Sequence, residues 1–396
     1  MTTSEFQVLI SMTLYMLCII CIGLFFMDAA WTAIGLAAGT YINWLIVAKR
    51  LRRYSSVAND SITIPDFFSS RFHEDKKIIM TIASLFILIF FTVYASSCFV
   101  TCGKLFSKLF GASYHSMMIL GALFVIIYTF LGGFLAESAS DFIQAVVMIC
   151  ALTTILILGT VSAGGLSAVI TNAQSIEGFW GFFNTASPSL DANGVQQVAD
   201  GAALFGPPAT YGFLTIISTM SWGLGYFGMP QVLLRFMAIR KADELKKSRR
   251  IAIIWVLISL FCAVFIGVIG RVLFPTEKTL LTASGAENVF VVLSQNLLPP
   301  LLAGIVMAGI LAATISSSDS YLLIAASAFS KNIYQSILKK NASDKQVMKV
   351  SRIILVVISI VGMIIALDEN SIIFKVVSFA WAGFGATFGP LLLFSL

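Results

Sequence analysis

The chain has 396 residues, of which 58% are hydrophobic and only 11% charged, with a formal net charge of +6. A soluble chain carries about 25% charged residues, so this one is built for lipid, and its positive balance marks membrane topology without implying nucleic acid. Its six cysteines all sit in apolar runs, and its two histidines, His73 and His115, fall in expected loops, so neither a zinc framework nor a histidine-based catalytic centre is indicated.

Apolar runs of membrane length predict ten spans: 6–27, 30–48, 78–102, 116–135, 140–162, 209–234, 251–274, 298–329, 350–367 and 373–396. The first lacks a basic leader and is too long for a cleavable signal. Basic clusters follow the second span (Lys49, Arg50, Arg52, Arg53), the sixth (Arg235 to Arg250) and the eighth (Lys331 to Lys349), which places those loops in the cytoplasm. The loop from Ala163 to Ala209 has no Lys or Arg and reads as external. Lys104 and Lys108 do not fit, because they fall in a loop that alternation puts outside. The front of the chain also breaks the pattern. Only Asp28 and Ala29 separate the first two spans, whereas antiparallel helices need a connection of about 2–8 residues with turn chemistry. Either the two runs form one overlong helix, or a segment is missing between Met27 and Asp28.

Four stretches carry chemistry. In span three, Tyr94 precedes Ala95, Ser96 and Ser97, and a buried phenol needs a partner; small-residue helix packing explains the same text. At the join of spans four and five, Glu137 reads as a residue of a cytoplasmic turn. Asp141 begins a long apolar run, where it can coordinate a cation, pair with Lys or Arg, or cap the helix. Span six, Ser221 to Met237, holds Gly223, Gly225, Gly228 and Pro230, which weaken a helix in mid-membrane. Trp222, Gly225, Tyr226, Met229 and Pro230 share one side of it, an aromatic wall beside irregular backbone.

Span eight carries L-A-A-T-I-S-S-S-D-S, Leu311 to Ser320. As a helix it places Ala313, Ser316, Ser317 and Ser320 on one face, Asp319 at its edge and Ser318 elsewhere. Serines can back-bond to their own helix or join helices. A run of them with an aspartate at membrane depth also suits a bound ion. Ser316, Ser317, Asp141 and Asp319 offer hard oxygens, which favour Na⁺ over a soft metal, with carbonyls freed near Ala313 completing the shell. A cation site and an aromatic site in two broken spans is the arrangement of a secondary transporter. An intramembrane serine enzyme is disfavoured, since no His or Lys stands at catalytic spacing and no H-E-x-x-H occurs.

Three stretches resemble the sodium:solute symporter family, with its sodium/proline symporter branch most similar: S-W-G-L-G-Y-F-G-M-P at 221–230, Y-T-F-L-G-G-F-L-A-E-S-A-S-D at 128–141 and S-F-A-W-A-G-F-G-A at 378–386. The likeness runs from about Asp28 to Leu396. It implies an all-α polytopic membrane protein, one transporter domain over 1–396, with an inverted-repeat fold like that of the leucine transporter. It implies sodium-driven uptake of a small solute at the plasma membrane by alternating access, with no enzyme activity and no cofactor beyond Na⁺ as coupling ion. L-proline is the expected solute; pantothenate, a sugar or sialic acid, or a sensor role on the same scaffold, are the alternatives. The expected partners are solute, Na⁺ and lipid, with no nucleic acid. By the same resemblance Ala313 (through its carbonyl), Ser316 and Ser317 are sodium ligands and Asp141 is tied to sodium use. Asp319 and Ser320 belong to an additional cation site, and Trp222, Tyr226, Pro230 and Tyr94 face the solute. Family members continue past Leu396 with further helices. Between the positions of Met27 and Asp28 they have a polar loop and a whole broken helix, which supplies partner ligands of the sodium site and part of the solute site.

Overall fold

The computed structural model describes residues 27–132, 134–181 and 183–396. The long apolar runs are helical there, as they must be where only internal hydrogen bonds can satisfy the backbone. Seven described helices are long and apolar enough to cross a membrane, and an eighth span is the pair Ala29–Ile46 and Ala48–Val57, bent by 42°. Span 6–27 lies outside the described residues except for Met27. Asp28 and Ala29 are inside the helix Met27–Ile46, so no turn separates them from the second apolar run.

Span three is longer than its apolar text suggested. It runs Ile78–Phe110 and stops at Gly111, whose φ of +63° closes the helix. Lys104 and Lys108 therefore lie on its final turns and not in a loop, and the Lys104 Nζ donates to the Ser371 carbonyl at 2.8 Å.

Span six is broken, as its glycines and proline require. A helix Phe213–Met220 passes into a 3₁₀ turn, Ser221–Phe227; the chain is non-helical at Gly228 and Met229 and resumes as Pro230–Ala238. Pro230 opens the second helix, where its missing N–H costs nothing. Span eight differs from expectation. Pro300–Ser327 is one continuous helix that widens into a π-helix, Ala328–Leu338, so the backbone is not opened at Ala313.

The external stretch holds β-structure that the apolar pattern did not announce. Asn184–Pro188 pairs antiparallel with Phe205–Thr210, and Val198–Ala199 with Ala202–Ala203. The tip is a turn in which Asp191 Oδ1 accepts the amides of Asn193 and Val195, both at 2.8 Å. The Gln196 amide donates to the Leu281 carbonyl at 2.8 Å, joining two external connections.

By contacts the chain divides into two compact units, residues 1–42, 152–224 and 248–299 in one, and 43–151, 225–247 and 300–396 in the other. In the first, Gly35 and Gly39 let the helix Met27–Ile46 touch main chain: a Cβ on them would lie 2.3 Å from the Met220 oxygen and 2.1 Å from the Gly223 oxygen. The second unit is organised on fully buried phenylalanines, among them Phe67, Phe68, Phe91, Phe99, Phe236, Phe384 and Phe388.

Candidate functional site

Two groups of side chains in the second unit carry polar chemistry in an apolar setting. The first surrounds the break in span six. Tyr226, the penultimate residue of the 3₁₀ turn, meets Trp381 edge-on with ring centroids 5.0 Å apart. The backbone beside it is pinned: Asn43 Nδ2 donates to the Tyr226 carbonyl at 3.0 Å, and Gly225 lies directly against Trp381. Pro230 is buried at the start of the next helix. Tyr94 is buried and stacked on Tyr321, with ring centroids 4.1 Å apart. Tyr226 lies within electrostatic range of the Tyr94 hydroxyl. The structure thus brings Tyr94 and Tyr226 near each other, with Pro230 four residues after Tyr226. Trp222 belongs to the other unit.

The second group gathers on one guanidinium. Glu137 and Asp141 are four residues apart and share a face of the helix Phe134–Ser162. Arg235, from the helix Pro230–Ala238, reaches them through Nη2, 2.5 Å from Asp141 Oδ2 and 3.1 Å from Glu137 Oε1. Ser320 completes the set: its Oγ accepts from Arg235 Nη2 at 3.1 Å and donates to Glu137 Oε1. Asp319 is 1% exposed; its Oδ1 accepts its neighbour's amide at 2.7 Å, while among the described residues its Oδ2 finds no partner, and neither does Asp141 Oδ1. Glu137 and Asp141 both act on Asp319 electrostatically. Two carboxylates of one helix thus share a single guanidinium nitrogen, in a setting where buried charge is costly unless paired.

The remaining candidate ligands lie further along the same helix. The Ser316 hydroxyl bonds back to the Ala313 carbonyl at 3.1 Å, so that carbonyl is engaged within the helix rather than freed. Ser317 stands one helical turn before Tyr321. Ser318 is fully buried and bonds to the Thr314 carbonyl at 2.7 Å. Asp141, Asp319 and Ser320 are therefore brought together, while Ala313 and Ser316 are joined to each other. The two groups are linked through Ser320, whose hydroxyl also donates to the Ser316 carbonyl at 3.2 Å.

Glu137, Arg235, Tyr321 and Trp381 escaped the sequence reading. Glu137 is no turn residue but 5% exposed inside the ion-pair cluster. Its signal was the i, i+4 spacing to Asp141. Arg235 was counted only as a topology charge, and no periodicity marks where its flexible stem reaches. Tyr321 stands four residues after Ser317, close enough to share its face.

The chemistry of these donors fits a hard monovalent cation. All are oxygens, two carboxylate oxygens are buried without a partner among the described residues, and hydroxyls and carbonyls belong to the same set. Among the described residues no three carboxylates converge as a metal-binding group, so such a shell would be a mixed one.

The profile of the sodium:solute symporter family matches residues 6–396. The chain belongs to the sodium:solute symporter family. Its relatives include the osmoregulated proline transporter OpuE of Bacillus subtilis (strain 168), 37% identical over 370 residues, which covers 93% of this chain and 70% of that protein. They also include a sodium/proline symporter of Staphylococcus aureus, 39% identical over 373 residues, covering 93% and 68%. Among solved structures, a Na⁺-coupled sialic acid symporter, determined substrate-bound and outward-open, superposes with a TM-score of 0.66 at 19% identity, covering 89% of this chain and 70% of that one. That likeness shows the fold, and the leucine-transporter-like architecture read from the sequence stands. As a member of this symporter family with these spans, the chain is a multi-pass protein of the plasma membrane.

Proposed function

We propose that this scaffold couples Na⁺ entry to import of L-proline by alternating access. The observation that supports the reading is the presence, in one structural unit, of an oxygen-rich cluster with a buried carboxylate oxygen lacking a partner among the described residues, and an aromatic pair beside a broken span. The relatives at 37% and 39% identity supply the solute. Asp141, Asp319 and Ser320, with Ser316, Ser317 and the Ala313 carbonyl further along the helix, are the residues that would hold Na⁺. When bound, Na⁺ would neutralise carboxylate charge within this group. Tyr94, Tyr226 and Pro230 are the residues of this unit assigned to the solute. Tyr321 stacks on Tyr94 and stands four residues after Ser317 on the same helix, which gives ion and solute a common structural element. Coupling between them must be a differential affinity of two states, and it is reciprocal.

Part of both sites is expected from a polar loop and broken helix between Met27 and Asp28, so transport is measured on the chain with that segment supplied. In proteoliposomes an imposed inward Na⁺ gradient is expected to drive uptake of labelled proline, with pantothenate, sugars and sialic acid failing to compete. Proline uptake indifferent to the gradient sinks the reading, and competition by sialic acid instead of proline changes its solute.

In the same assay Ser316→Ala and Ser317→Ala are each expected to raise the Na⁺ concentration for half-maximal uptake by about tenfold, roughly 1.4 kcal/mol, with little change in solute affinity at saturating Na⁺. Ser318 lies about 100° further round the helix and bonds only its own backbone, so Ser318→Ala is expected to be nearly silent. Equal Na⁺ sensitivity at all three positions contradicts the assignment.

A further inference from the structure

The contacts of Arg235 are not those of an ordinary arginine–carboxylate pair. Such pairs commonly use two guanidinium nitrogens side by side. Here one nitrogen, Nη2, faces oxygens of three side chains on two helices: Asp141 Oδ2 at 2.5 Å, Glu137 Oε1 at 3.1 Å and Ser320 Oγ at 3.1 Å. Hard oxygens converging on one positive centre are what a bound cation sees. We propose that Arg235 is a tethered cation, holding among Glu137, Asp141 and Ser320 the place that Na⁺ takes, so that the two bind this cluster in mutually exclusive fashion. The proposal rests on the reading that this cluster binds Na⁺.

Three further features support it. The anions are fixed and the cation is not: Glu137 and Asp141 side chains are 5% and 18% exposed, whereas Arg235 is 45% exposed. The guanidinium can swing to water without burying its charge, while the carboxylates stay behind. Secondly, Asp319, the residue before Ser320, has a buried Oδ2 with no partner among the described residues, an oxygen that Arg235 does not use and a smaller, spherical ion could. Thirdly, the exchange replaces one monovalent cation by another, so neither state leaves the carboxylates less compensated than the other. A tether acts at an effective concentration in the millimolar range, which sets the Na⁺ level needed to displace it. Arg235 stands on the helix that starts at Pro230, so its release loosens the attachment of the broken span to the helices carrying Glu137 and Ser320. Ion occupancy is thereby signalled to the side of the break where Tyr226 lies.

The test is Na⁺ binding, not transport. All residues of the cluster belong to the chain as it stands, so equilibrium binding of radioactive Na⁺ is measured on the detergent-purified full chain, with Asp141→Asn defining the signal that belongs to this cluster. Arg235→Gln is expected to tighten the Asp141-dependent Na⁺ binding by at least about fivefold, with Arg235→Lys in between. Unchanged or weaker binding in Arg235→Gln overturns the tethered-cation proposal and leaves the Na⁺ site intact. Absence of Asp141-dependent binding in the unmodified chain overturns the assignment of Na⁺ to this cluster, and the proposal with it. A second measurement needs no substitution. Phenylglyoxal modification of Arg235, followed by mass spectrometry of the unmodified sequence, is expected to increase when Na⁺ replaces choline at constant ionic strength; no increase, or protection, overturns the proposal.

Discussion

Proteoliposomes carrying the 396-residue chain are expected to show no Na⁺-driven proline uptake, and those carrying the same chain with a relative's polar loop and broken helix inserted between Met27 and Asp28 to show it. Two apolar runs meet at Asp28 and Ala29 with no residues to turn the chain, and the structure places both residues inside the helix Met27–Ile46. Two buried oxygens on that helix, Thr40 Oγ1 and Asn43 Oδ1, have no partner among the described residues. Each such orphan costs about 1–3 kcal/mol, and a neighbouring helix is a natural place for their partners. Ser316 and Ser317 need further oxygens to hold an ion stripped of water, since half a shell compensates poorly for lost hydration. Robust sodium-driven uptake by the chain without the insertion, at a level the insertion does not raise, defeats this prediction.

Gly228→Ala is expected to abolish monodisperse, thermally stable protein. A Cβ at position 228 would lie 2.1 Å from the Phe384 carbonyl oxygen and 3.0 Å from the Gly385 Cα. The obstacle is main chain of the helix Ile373–Ser395, so no rotamer change relieves it. Either that helix or the break itself must shift. Because Phe384 is fully buried and its ring packs against Phe90 and Phe91 at centroid distances of 5.2 and 4.5 Å, the shift would spread into the aromatic core. Overpacking of this kind costs about 3 kcal/mol or more. Gly267→Ala is the control. Nothing lies within 4 Å of its added Cβ, and within the helix Leu245–Leu273 the change is expected to stabilise by up to about 1 kcal/mol. Thermal denaturation of both variants, followed by fluorescence and size-exclusion chromatography, decides it; a melting temperature for Gly228→Ala within about 2 °C of the parent is the opposing result.

The spans were legible because membrane-depth backbone has one solution. An apolar run of sufficient length becomes a helix, and Gly228 with Pro230 breaks one wherever it lies. The polar stripe of Leu311–Ser320 was legible for the same reason, since oxygens at that depth have to be accounted for. What the residues could not announce was partnership. Arg235 carries the same text as a topology marker, and only the fold shows its nitrogen among Glu137, Asp141 and Ser320. The same holds for Ala313. Its carbonyl was expected to be freed, yet the helix runs unbroken past it and Ser316 occupies it. Lys104 and Lys108 were misplaced for a different reason: a helix can outlast its apolar stretch by two turns when its end emerges into water, and Gly111 rather than the lysines sets the stop.

The external turn at Asp191–Gly194 offers a handle whose cost is confined to the local bonds that close it. It is held by its own carboxylate, which accepts two local amides, and Gly194, with φ of +76°, has open space on its side-chain side. Both Asn193 and Gly194 are exposed. A short epitope spliced between them would hang from the hairpin without meeting any other element, and an antibody added to unbroken cells would reach it only from outside. Sidedness, which rests so far on where lysines and arginines fall along the chain, thereby becomes something that can be stained and counted cell by cell.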